Sequence, residues 1–216
     1  MKLTDRQSGI ALIAGSAGIL LTLGLHPSGR GMIDPATYEA VTRHLIEVHS
    51  IALFGLPLWF LGALGLSRRL DSAGHSAIFP LTFFSFGIAA MLTGVVFDGL
   101  VSPGLARQIV NAAPGTGQGW RIAFNANEVV AMSFVHVFEM ASPLAIVLWS
   151  IMIARRGAFP RGLGYFGILV GVAAIIALVS GHLDREHHAF VASILLQSLW
   201  LIGIGITMCQ TRPNAA

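Results

Sequence analysis

The sequence predicts an all-α fold, a polytopic membrane helix bundle with six transmembrane helices in one integral membrane domain spanning residues 1–216. Two observations carry this. First, the 216 residues are 55% hydrophobic with a mean hydropathy of +0.76, and only 11% are charged, against about 25% in an ordinary soluble domain. A soluble fold of this length would leave too much apolar surface in water. Second, six apolar runs, at 8–25, 44–66, 77–101, 122–154, 163–181 and 189–209, approach or exceed the ~20 residues a helix needs to cross roughly 30 Å of hydrocarbon. Backbone inside a bilayer has to satisfy its own hydrogen bonds, and uninterrupted runs lack the alternation of a barrel strand, which leaves helices.

The first run follows a short positive head, Lys2 and Arg6, as a secretory signal would. No small-x-small cleavage site precedes the polar loop at His26, so a retained anchor is expected. The second run opens with His44, Glu47 and His49, and the third ends at Asp98. The fourth carries Glu128, His136 and Glu139, and the turn between the fifth and sixth holds His182, Asp184, Glu186, His187 and His188. The loops at 26–31 and 111–119 are rich in Gly, Pro and Asn and read as irregular. Glycine is frequent, 25 residues, and many glycines fall inside the runs, where small residues let membrane helices approach. A Gly-rich face also offers a contact for a homo-oligomer.

Charge sets the orientation. With six spans, the side holding both termini carries Lys2, Arg6, Arg68, Arg69, Arg155, Arg156, Arg161 and Arg212, eight residues, against five on the other side. Both termini are therefore expected to be cytoplasmic, in a bacterial inner membrane. The net charge of +3 and pI near 9.8 come from these scattered helix-end cations. The expected partner is the lipid bilayer, and no nucleic acid. The composition excludes a disordered chain and an ordinary cytosolic enzyme. The single Cys209 excludes an intrachain disulfide or a CxxC site, and no phosphate-binding glycine motif is present.

Ionisable side chains inside a membrane are costly, about 2.5–3.5 kcal/mol at mid-helix on insertion scales, and are default functional candidates. Seven of the eight histidines fall at the outer end of the six-span arrangement, and the inner halves hold almost nothing ionisable. Helix ends meeting water explain His26, His49, Glu186 and one of His187 and His188. Glu47, Asp98, His136 and Glu139, each within apolar sequence, need another reason. In the fourth run, Glu128, Met132, His136, Glu139 and Asn125 fall within an arc of about 80° at 100° per residue. So narrow a stripe is expected to face protein or a water-filled cavity.

A second pattern is H-x-x-E-x-x-S, present at His44–Glu47–Ser50 and again at His136–Glu139–Ser142. Each copy heads an outside-to-inside helix ending near an Arg pair, which is consistent with a tandem two-helix repeat of helices 2–3 and 4–5. Histidine and carboxylate at i and i+3 share a helix face. The expected metal ligands are His44, Glu47, Asp98, His136, Glu139 and His182, with Glu139 or Glu128 as general base. Imidazole and carboxylate together suit a divalent Zn, Fe or Mn ion. Haem is less favoured, because carboxylates three residues from each imidazole are poor neighbours for a buried macrocycle.

The leading expectation is a metal-dependent membrane enzyme, a hydrolase or oxidoreductase, acting on a lipid or other apolar small molecule, with its polar cluster facing the periplasm or exterior. The alternatives are a small proton- or cation-coupled transporter or channel, which Pro57 and Pro143 could serve by breaking helices, and a non-catalytic subunit whose polar network only fixes helix packing.

Overall fold

The structure, a computed structural model, describes residues 4–27, 31–72, 76–181 and 187–210. All its regular elements are helical: α1 Asp5–Leu25, α2 Tyr38–Ser72, α3 Ile78–Val96, α4 Ser102–Val110, α5 Gln118–Arg156, α6 Arg161–Val179 and α7 His187–Gln210. A π-helical turn, Phe97–Val101, joins α3 to α4. Six helices are long and apolar enough to cross a membrane, and the protein is an integral membrane helix bundle.

The six spans close into a ring. α1 packs between α2 and α7, α5 packs between α3 and α6, and α2–α3 and α6–α7 contacts complete the circuit. Close approach depends on missing side chains: a Cβ on Gly15 would come within 2.8 Å of the Gly55 carbonyl oxygen. α1 and α7 meet likewise where Gly9 faces Gly205, which places the start of α1 and the end of α7 at one end of the bundle.

α2 and α5 have 35 and 39 residues, about 52 and 58 Å at the helical rise, so both outlast the hydrocarbon layer. α2 begins six residues before its apolar run because the chain turns at Asp34, whose carbonyl oxygen accepts from the Tyr38 N–H at 2.8 Å. At the end away from the termini, α2, α4 and α5 share a small second core of Met32, Leu45, Ala106, Ile109 and Phe124. The main core lies below it and contains Ala52, Leu56, Trp59, Phe84, Val95, Phe138, Trp149 and Trp200.

The aromatic members of the main core form a connected layer about 16 Å thick, since Phe138 and Trp149 are eleven residues apart on α5. Trp59 stacks on Phe138 at 6.3 Å and contacts Phe84, Phe84 meets Trp149 edge-on at 5.3 Å, and Trp149 stacks on Trp200. Their polar edges are satisfied: Trp59 Nε1 donates to Ser16, Trp149 Nε1 to Ser67 and Trp200 Nε1 to the Leu163 carbonyl. All five rings are fully buried, and they tie α2, α3, α5 and α7 together through this depth.

Candidate functional site

Between the aromatic layer and the second core lies a cavity of about 530 Å³, within the usual range for a small-molecule site. α1 contributes Ile19, Thr22, Leu23 and, just past its end, His26; α2 contributes His49, Ala52 and Leu56. α3 and the π-helical turn supply Met91, Gly94, Val95 and Asp98, α5 supplies Glu128, Ala131, Met132, Val135, His136 and Glu139, and α7 supplies Phe190 and Ile194.

The polar centre of this cavity is Asp98. Its Oδ2 lies 2.9 Å from His49 Nε2 and 3.3 Å from His26 Nε2. The opposite nitrogens are tied to backbone: His49 Nδ1 to the Leu45 carbonyl and His26 Nδ1 to the Pro27 carbonyl, each at 2.9 Å. A carbonyl only accepts, so each Nδ1 carries its proton and donates. Each Nε2 is then left to meet the carboxylate through a second proton or through a metal ion. The two rings stand edge to face, 5.1 Å between centroids. One ligand atom from each of the three residues falls within 4.8 Å of the others. A backbone carbonyl holding the far nitrogen is the common second partner of a metal-bound histidine. The bond to Asp98 raises the His26 imidazole above its ordinary value of 6.5; burial works against this, and the Asp98 charge and the Pro27 carbonyl add to it.

Local structure explains the placement. His49 lies on the buried face of α2, between Leu45 of the second core and Ala52 of the main one. Asp98 occupies the π-helical turn, a feature frequent at functional sites. The turn is braced by Asn127, whose Nδ2 donates to the Phe97 carbonyl at 3.0 Å and to Ser102 Oγ at 2.8 Å. Gly99 next to Asp98 lies against the His49 ring, and any Cβ there would overlap it.

The stripe expected on the fourth span is present on α5: Glu128, Met132, His136 and Glu139 all line the cavity. Asp98 joins them. His44 and Glu47 are outside the lining: both are exposed, and His44 Nε2 bonds the Leu25 carbonyl at 2.8 Å. The two H-x-x-E segments thus have different surroundings, and only the one on α5 faces the hollow. His182 lies outside the described residues. Of the expected metal ligands, Asp98 alone belongs to the three-residue group; its partners, His26 and His49, are the histidines that the sequence explained as solvated helix ends.

No protein-family model matches this chain, and neither a curated protein nor a solved structure matches it. The site therefore has to be interpreted from its own chemistry.

Glu128 and Glu139 are eleven residues apart on α5, about 16 Å along the axis. Asn127 touches Phe97, so Asp98 is at the level of Glu128, and Glu139 is at the deep end. Glu139 is 1% exposed. Its Oε2 accepts from Ser193 Oγ at 2.8 Å. Ser193 in turn accepts from Gln197 Nε2 at 3.0 Å, and Gln197 Oε1 from Ser142 Oγ at 2.7 Å.

Proposed function

We propose that the protein is a metal-dependent membrane enzyme. One divalent ion is held by His26, His49 and Asp98, and the apolar substrate lies in the cavity below. The observation that supports this most is the pair of Nδ1 atoms tied to carbonyls, which aims both Nε2 atoms at one carboxylate oxygen. Two imidazoles and a carboxylate from the protein leave coordination positions open for water and substrate, as in catalytic zinc and non-haem iron sites. Glu128 is the carboxylate at the level of the three ligands and takes the role of general base if the ion activates water. Glu139 is too deep for that step. The excess of Lys and Arg on the side of the termini favours a site facing the periplasm or exterior of a bacterial inner membrane.

A carrier would need a polar path past the site. The buried aromatic layer of Trp59, Phe84, Phe138, Trp149 and Trp200 argues for a pocket with one mouth. Elemental analysis of the purified protein tests the reading. About one Zn, Fe or Mn ion per chain is expected, lost in His49→Ala and Asp98→Ala and retained in Glu139→Gln. Zinc would mark hydrolysis and iron oxidation. Metal-free wild type, prepared without chelator, would end the proposal.

A further inference from the structure

Glu139 takes no part in the metal site, yet it is the most costly side chain in the cavity. Its carboxyl group is buried among apolar residues, and Oε1 has no hydrogen-bond partner among the described residues. An unsatisfied buried polar atom loses the hydration it had in water and gets nothing back. The other oxygen is the end point of a directed chain: Ser142 donates to Gln197, Gln197 to Ser193 and Ser193 to Glu139. Every donor in the chain points towards Glu139, and bonds aligned this way polarise one another and favour an acceptor at the end. Glu139 lines the cavity, so Oε1 is the carboxylate atom left to accept from an occupant once the side chain turns to meet it.

The lining narrows the chemistry of that donor. Among the described residues it holds three carboxylates, Asp98, Glu128 and Glu139, beside the imidazoles of His26, His49 and His136, and no Lys or Arg. Most of the remaining lining is apolar, including Ala52, Leu56, Met91 and Ile194. At its deep end, where Glu139 is the carboxylate, such a hollow favours cations with an apolar body.

We propose that Glu139 is the recognition point for a lipophilic amine. The ligand's ammonium group donates to Oε1 at the deep end of the cavity, and its apolar chain runs about 16 Å towards the mouth. This rests on the reading of the cavity as a substrate site and adds the substrate class. It does not require the metal.

The test uses the full chain in lipid nanodiscs, with empty discs as the blank, and dodecylamine, dodecanol and dodecanoate as probes. Dodecylamine is expected to show a saturable component and dodecanol a weaker one; dodecanoate, whose carboxylate suits a metal ion, is expected to show none in chelator-treated protein. Glu139→Gln keeps the shape and the Ser193 contact; it is expected to weaken dodecylamine binding about tenfold or more, the scale of a lost charge-assisted hydrogen bond. Met132→Trp, at a half-exposed position of the lining, narrows the hollow and is expected to weaken it too, which covers a failure of the glutamine variant to fold. Equal binding of dodecanol, equal binding of dodecanoate in chelator-treated protein, or dodecylamine binding unchanged in the variants would overturn the proposal. Repeating the titration on chelator-treated protein separates the two readings: amine binding that survives without metal supports this one even if elemental analysis rejects the other.

Discussion

His26 stands one residue beyond the last turn of α1, and its protonation is governed by Asp98. A raised value in the fold means that the protonated ring gains a partner on folding. Its stabilisation is complete below the unfolded value, about 6.5, and disappears as pH rises through the higher folded value. In chelator-treated protein, the thermal midpoint of wild type relative to Asp98→Asn should therefore shrink with rising pH across that window. A gap that widens with pH would contradict the assignment. The sequence made part of this site legible. The α5 stripe was found because apolar neighbours made its polar members conspicuous, and four of its five residues line the cavity. His49 reads in the sequence as a helix end meeting water, while the H-x-x-E spacing points to His44 and Glu47. The same angular test on α2 would have found it: Leu45, Val48, His49, Ala52, Leu56 and Trp59 occupy about 100° of arc, with Glu47 on the opposite side. His26 had no such signal, since a residue beyond a helix end has no periodicity to betray it.

At the level of elements, the π-helical turn between α3 and α4 decides where Asp98 points. Asn127 holds it through two bonds from one buried amide nitrogen. Asn127→Ala should cost about 1–3 kcal/mol by leaving Phe97 and Ser102 without that donor, visible as a lowered denaturation midpoint, and on the proposed metal reading should weaken metal binding, because the turn carries Asp98. Unaltered stability and metal affinity would show that the turn holds itself. Hydropathy could not announce α4. The apolar run stops at 101, and residues 102–110 alternate between the buried Ala106 and Ile109 and the exposed Arg107 and Gln108. Such a short amphipathic helix forms because α2 and α5 project far enough to give it something to pack on. By contrast, the irregular connection expected at 111–119 is observed up to Gly117, where α5 is capped.

Across the whole molecule, the six spans were legible because hydrocarbon thickness imposes length and apolarity on every one of them. The circuit of neighbours was not, since it depends on which small residues oppose each other, as Gly15 and Gly55 do. The aromatic layer ties that circuit together. Trp149→Ala should destabilise the protein by about 3–5 kcal/mol by emptying the space between Phe84 and Trp200 and leaving Ser67 without its donor. Proteoliposomes of the wild type should hold an imposed ion gradient; specific flux through them would show that the layer opens.

If the floor stays shut, the hollow is a cul-de-sac. Whatever arrives has to back out by the way it came, and a spent molecule blocks the berth until it goes. On the enzymatic reading proposed above, reactant and product would compete for the same room, and inhibition by the end product is the expected consequence.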